Sequence, residues 1–252
     1  MTFQYCSDLH LEFPENKKFL SNNPLQPKGD VLLLAGDIVP FFVMDKHSDF
    51  FDYVSDHFET TYWIPGNHEY YYSDASLRSG VLHEKVRSNV HLVNNKVIEV
   101  EEVTLIFTTL WSNISPARQW QVEHGMSDFR VIKYEGGLFT ANEYNRLHAE
   151  CMFFLKESLT KLGTSKSVVV SHHVPTEFHY PEQYKGSAIS EGFVVELFSL
   201  IEESGPDVWI YGHHHSNVPD FRIGNTDLTT NQLGYVRQKE HLGFESFKYI
   251  IY

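Results

Sequence analysis

Five short blocks of metal-ligand-type residues each follow directly on an apolar, strand-like run. Asp8-Leu9-His10 follows Phe3-Gln4-Tyr5-Cys6-Ser7, and Gly36-Asp37 follows Val31-Leu32-Leu33-Leu34-Ala35. Gly66-Asn67-His68-Glu69 follows Thr61-Tyr62-Trp63-Ile64-Pro65, His172 follows Val168-Val169-Val170-Ser171, and Gly212-His213-His214-His215 follows Val208-Trp209-Ile210-Tyr211. Divalent metals that assist hydrolysis favour imidazole nitrogens and carboxylate oxygens, and a pair of ions needs an acidic ligand to bridge them. Blocks delivering Asp, His, Asp, Asn, His, His and His to strand ends describe a metal centre assembled from the whole fold. Asp8 and His10 are two residues apart, so in an extended segment they share a face. His213 and His215 have the same spacing, suited to two neighbouring ions. Gly36 lets the backbone turn sharply before Asp37, and Asn67 offers a neutral carbonyl oxygen.

The elements that must position these residues alternate along the first part of the chain. Strands near 2–7, 31–35 and 60–64 alternate with amphipathic stretches near 47–59 and 74–88, which predicts parallel strands with helical crossovers. In open α/β sheets, ligands collect beyond the carboxyl ends of the strands. Runs at 91–93, 96–100 and 103–109 read as a meander at one sheet edge. Residues 111–139 are irregular and read as a lid or insert, since a long connection inside a compact domain is usually functional or disordered. Thr140 and Glu143 form a capping-box signature for a helix running to about Leu162, with Gly163 as its stop. A strand at 167–171, an irregular segment near 175–188, a helix near 191–203, a strand at 207–211 and short runs at 218–223, 226–230 and 246–252 complete the chain. No repeat or linker interrupts it, so residues 1–252 read as one domain.

Composition bounds the partners. With 42% hydrophobic and 21% charged residues, a packed core is expected. Lys and Arg total 20 against 33 Asp and Glu, a net charge of −13. That argues against a nucleic-acid polymer, whose backbone requires clustered cations, and leaves room for a small phosphorylated substrate beside metal ions that reverse the local field. Cys6 and Cys151 are the only cysteines, which makes a disulfide framework or thiolate zinc site a poor reading. No apolar run approaches the roughly 20 residues that span a bilayer, and no basic, apolar leader opens the chain; the expectation is a cytoplasmic protein with no membrane association. Nothing in the sequence sets an oligomeric state.

Taken in order, the five blocks resemble the signature of the calcineurin-like metallophosphoesterase superfamily. A DxH or a GD alone is weak; the ordered set, with GNHE and GHxH, is strong and spans residues 8 to 215. The resemblance implies an α/β (α+β) fold, a two-layer β-sandwich flanked by helices, with a dinuclear site at the strand ends. It implies hydrolysis of phosphate mono- or diesters. Asp8, His10 and His215 would hold one ion, Asn67, His172 and His213 the other, and Asp37 would bridge both. The cofactors would be two divalent or mixed-valence transition-metal ions, with Mn, Fe, Zn, Co and Ni all compatible with the mixed donors. His68 would sit over the scissile phosphate, stabilising its oxygens or protonating the leaving group, while a metal-bridging hydroxide attacks in line. The alternative for His68 is an orienting role beside the site.

Other residues carry weaker readings. Of the adjacent His172 and His173, His172 is favoured as ligand, leaving His173 to contact substrate, while His214 should point away from the ions. Arg130 and Lys185 could grip phosphate oxygens or be solvated loop charges. The aromatic residues near the blocks, Phe41-Phe42, Tyr70-Tyr71-Tyr72, Trp111, Phe178 and Tyr180, are read first as core and rim packing, with an apolar wall that stacks a base or aryl group as the alternative. Glu12, where many family members have glycine, is either near the ions or a loop residue. Two competing functions remain, a nuclease of the same superfamily and a catalytically silent metal-binding scaffold.

Overall fold

In the computed structural model, which describes residues 1–252, the apolar runs become strands of two six-stranded sheets. The chain begins with β1 (Thr2–Cys6), α1 (Pro14–Asn22), β2 (Val31–Ala35), α2 (Ser48–His57) and β3 (Thr60–Ile64). It continues through β4 (Leu82–Lys85), β5 (Val90–Asn94), β6 (Lys96–Val100) and β7 (Val103–Thr108). Next come α3 (Gln119–Gly125), α4 (Asp128–Val131), the two-residue strands β8 (Lys133–Tyr134) and β9 (Gly137–Leu138), and the long α5 (Ala141–Leu159). The last part contains β10 (Lys166–Ser171), α6 (Phe198–Ser204), β11 (Val208–Tyr211), β12 (Phe221–Ile223), β13 (Thr226–Thr230) and β14 (Tyr249–Ile251).

The first sheet has the order β14-β1-β2-β3-β5-β4 and the second β12-β13-β11-β10-β7-β6. Within the first, β1, β2 and β3 are parallel; within the second, β7, β10, β11 and β13 are parallel. Five parallel strands therefore end just before the five blocks. Layering follows from alternation. Leu33 of β2 points into the core between the sheets with Phe3, Tyr5, Leu105, Val168 and Ile210. Its neighbours Leu32 and Leu34 point outward, against Phe51 and Val54 of α2. The second sheet buries its outer face under Leu155 and Leu159 of α5 and Ile201 of α6. Strands covered on both faces need apolar residues at every position, which is why β2 reads as an unbroken run. No helix is long and apolar enough to cross a membrane.

Several expectations change. Residues 74–88 are not a helix: a 3-10 turn at Ala75–Leu77 gives way to β4, the edge strand beside β5. Asp74 accepts hydrogen bonds from Ser76 N at 3.0 Å and Gly136 N at 2.7 Å, a side-chain competitor to helical bonding, and Gly80 has φ +76°. The 90–109 meander belongs to two sheets, because the chain crosses between them at Asn95, φ +44°. The 191–203 helix begins only at Phe198, since Val194 forms a bridge with Val174 and the Glu196 carboxylate accepts from Thr176 Oγ1 and Glu177 N. The 111–139 segment holds α3, α4 and the β8–β9 hairpin. Helix α1, introduced by Pro14, has no counterpart in the sequence reading. Helix α5 starts at the capping box on Thr140 and Glu143 and ends at Leu159, before Gly163.

Candidate metal centre

At the strand ends the chain leaves β geometry at once. Asp8, His10, Asp37, His213 and His215 all have positive φ, at 56°, 46°, 54°, 79° and 51°. Asp8 and His10 thus do not share the face of an extended segment. Left-handed non-glycine residues cost about 1–3 kcal/mol each and persist where surrounding structure imposes them, typically at functional sites. Gly212 shows that imposition. A Cβ there would lie 2.6 Å from Asp8 Oδ2 and 2.6 Å from Ser7 Oγ, so only glycine lets β11 end against β1. Glu69 holds the middle of the site from below. Completely buried, it accepts from the backbone N–H groups of Asp37 (2.9 Å), Ile38 (2.7 Å) and Gly66 (2.6 Å) and from Trp63 Nε1 (3.1 Å). Burial and nearby Asp37 push its carboxyl up to about 8, while those donors favour the ionised form, which alone accepts at both oxygens.

Two groups of ligand atoms converge around Asp37, each within 4.8 Å: Asp8, His10, Asp37 and His215, and Asp37, His172 and His213; a third such cluster joins His10, Glu12 and His68. Asp37 belongs to both. Its Oδ2 is 3.8 Å from His10 Nε2 and its Oδ1 is 3.4 Å from His172 Nε2. Asn67 joins the second group, with Oδ1 3.2 Å from His172 Nε2. Its amide orientation is set by Nδ2, which donates to Asp128 Oδ1 at 2.9 Å.

The tautomers decide whether these groups fit cations. His215 Nδ1 donates to Glu240 Oε2 at 2.8 Å and His10 Nδ1 to Glu12 Oε1 at 3.3 Å. In the neutral rings the Nε2 lone pairs then face each other at 3.0 Å. On the other side His172 Nδ1 donates to Ala35 O at 2.9 Å and His213 Nε2 to Gly192 O at 3.2 Å. That leaves His172 Nε2 and His213 Nδ1 facing at 3.1 Å, again lone pair to lone pair. Opposed lone pairs beside carboxylates need a positive charge between them, and metal-binding histidines commonly donate their other N–H to a carboxylate or carbonyl. The donor sets fit two cations side by side. Without a metal, protons take those places. Burial opposes the charge, but Asp37 raises His172 to about 9, and Asp8 with Glu240 raises His215 to about 10. Burial likewise opposes the ionised form of Asp37, yet His172 and His68 hold its carboxyl well below the usual range.

His68 stands beside the first group. Its Nδ1 donates to Glu12 Oε1 at 3.0 Å, its ring stacks on Tyr71 with centroids 3.9 Å apart, and its Nε2 lies 3.3 Å from Tyr235 Oη. Its backbone N donates to Asp37 Oδ1 at 2.9 Å. Burial works against ionisation of Glu12, but the hydrogen bonds from His10 and His68 bring it down to about 2. The carboxylate beside His68 is therefore Glu12, four residues after Asp8.

Three expected substrate contacts are placed elsewhere. His173 is fully buried, with Nε2 3.0 Å from Tyr144 Oη and Nδ1 3.2 Å from Thr109 O. Burial, reinforced by cationic His172, pushes it down to about 3, so it is neutral, with its ring packed 4.3 Å from that of His213. Arg130 turns back to His124 O (2.9 Å) and Ser127 Oγ (3.1 Å), and Lys185 pairs with Glu182 at 2.5 Å. Neither lines the cavity of about 310 Å³ that opens over Asp37, Asn67 and His68. His214 Nδ1 accepts from Gln232 Nε2 at 2.8 Å. Four residues given no role by the sequence complete the surroundings, Asp128 on Asn67, Glu240 on His215, Glu69 under Asp37 and Tyr235 beside His68, together with Tyr71, read there as packing, which stacks on His68. Only Glu69, inside GNHE, carried a motif signal; the others come from segments with no ligand pattern of their own.

Comparison with known proteins identifies relatives of the chain. A protein of Acanthamoeba polyphaga mimivirus described as uncharacterised protein L509 is 28% identical over 274 residues, covering 98% of this chain and 95% of that protein. The solved structure of phosphopantetheinyl hydrolase (PptH) from Mycobacterium tuberculosis superposes with a TM-score of 0.72 at 16% identity, covering 99% of this chain and 95% of that one, and so shares the fold. Residues 1–217 match the calcineurin-like phosphoesterase family. With that match over most of its length, and the donor sets at its strand ends, the chain belongs to the calcineurin-like phosphoesterase family.

Proposed function

We propose that the protein is a dinuclear metal-dependent phosphohydrolase acting on a phosphate mono- or diester of a small to medium molecule. The observation that carries this reading is the pair of close histidine nitrogen–nitrogen approaches, 3.0 Å and 3.1 Å, one on each side of Asp37. Asp8, His10 and His215 would hold one ion and Asn67, His172 and His213 the other, with Asp37 shared between the two sets. When bound, such ions polarise the phosphate and lower the pKa of a bound water toward ~7. The chain's own residues do the rest. Glu12 fixes His68 through Nδ1, so that Nε2 faces the cavity and can give its proton to the departing oxygen. Tyr71 holds the ring by stacking, and Asp128 keeps the Asn67 oxygen aimed inward.

The nuclease reading is weaker for a specific reason: no Lys or Arg lines the cavity that a strand would enter. The scaffold reading is weakened by the presence of all seven donors together with His68. The test is hydrolysis of an aryl phosphate and its diester by Mn²⁺-loaded protein, followed by a panel of biological phosphate esters. Turnover of at least one class is expected; no turnover across the panel by metal-loaded protein overturns the reading.

A further inference from the structure

The cavity beside the metal centre has a wall of unusual chemistry. Met126 comes from the segment between α3 and α4, while Tyr180, Tyr184, Ile189 and Phe193 come from the stretch between β10 and α6. Phe193 stacks on His213, with centroids 4.6 Å apart and planes 23° apart, so the aromatic wall is continuous with the ligand set. None of the lining residues is Lys or Arg, and two of them, Asp128 and Glu240, are acidic in addition to Asp37. The two cations that sequence position would bring near are tied up outside it, Arg130 on His124 O and Lys185 on Glu182.

The wall is preassembled. Glu191 accepts from Ser115 N at 2.7 Å and Ser115 Oγ at 3.0 Å, and its carbonyl accepts from Ser112 Oγ at 2.7 Å. The carbonyl of the next residue, Gly192, accepts from Tyr144 Oη at 2.9 Å and His213 Nε2 at 3.2 Å. A Cβ on Gly192 would fall 3.3 Å from Val122 Cγ1 and collide with Met126. The two segments are thus packed together without room for an added methyl group.

Resting on the phosphohydrolase reading, the geometry points to a substrate class: phosphoesters whose leaving group is uncharged or cationic and carries an aromatic or apolar body, with anionic leaving groups excluded. The phosphate is neutralised by the metal side of the site. A second negative charge on the leaving group would enter a cavity lined by no Lys or Arg and, apart from the metal-side Asp37, by the two carboxylates Asp128 and Glu240. Aromatic and thioether walls recover apolar area from an uncharged body, and aromatic faces attract a cation. At about 310 Å³ the cavity is at the small end of ligand pockets. Nucleoside di- and triphosphates and sugar bisphosphates, which keep negative charge on the leaving group, are poor fits.

The test pairs ligands that differ only in charge. Calorimetric titration of Mn²⁺-loaded protein with phenylphosphonate and 4-carboxyphenylphosphonate should show at least tenfold weaker binding of the carboxylate. Hydrolysis of phenyl phosphate and 4-carboxyphenyl phosphate should show the same order in kcat/KM. Ser187 lines the cavity from the half-buried loop before Ile189, and Ser187→Lys should narrow the discrimination to less than threefold while circular dichroism stays native. Equal affinity for the two phosphonates in the wild type overturns the charge preference and leaves the phosphohydrolase reading standing. Failure to hydrolyse any ester overturns that reading and this inference with it.

Discussion

At the scale of single residues, the site separates side chains that would bind metal from those that aim other side chains. Asp37 is the one donor shared by both groups. Asp37→Ala is expected to lower metal content below about one ion per chain, whereas His215→Ala should retain about one of two; elemental analysis after desalting reads the difference, and equal occupancy in both variants counts against the bridge. His68 touches no ligand group through its Nε2 and is held by Glu12 and Tyr71. His68→Ala should reduce kcat by about 10²–10⁴-fold with metal content unchanged. Glu12→Gln should cost roughly 10–100-fold, since it loosens both His68 and His10. Wild-type kcat in both variants would remove this pair from the mechanism.

At the scale of elements, the turn after each strand matters more than the strand. Glu69 gathers N–H groups from the turns after β2 and β3 and from Trp63 of β3. In Glu69→Gln the amide cannot accept at both ends, so at least one buried N–H faces a donor. The cost should be roughly 2 kcal/mol or more, a fall in Tm of roughly 4–8 °C for a chain of this size, accompanied by lost activity because Asp37 shifts. A melting curve and activity equal to wild type would show that Glu69 does not position the turn. The capping box at Thr140 was legible because it is a local pattern of two side chains. The 74–88 segment was misread because its amphipathic pattern has no local marker for the antiparallel partner, β5, that makes β4 a strand.

At the scale of the whole molecule, the two sheets meet where like charges and lone pairs converge, so bound ions should be a source of stability. Ions that bind only the folded chain add about 2.7 kcal/mol per site at 100 times Kd. Chelation should abolish hydrolysis and lower Tm by roughly 10–20 °C if both sites are occupied, and Mn²⁺ should restore both; scanning calorimetry with and without chelator checks it, and an unchanged Tm would argue against structural occupancy of both sites. The five blocks by themselves determined the family, the parallel strands that precede the metal-type residues, and which residue types are available as donors. They could do so because strand patterning and ligand chemistry are local properties of short segments. Only the tertiary structure decided that Glu12 reaches His68, that Glu240 and Asp128 orient His215 and Asn67, that His173 is buried under His213, and that Arg130 and Lys185 lie outside the cavity. The contacts of Glu12, Glu240, Asp128 and His173 join segments 25 to 61 residues apart, so those side chains are aimed by neighbours across the fold that no local pattern announces; Arg130 and Lys185 turn instead to partners six and three residues away, a choice of rotamer that the residue types alone do not fix.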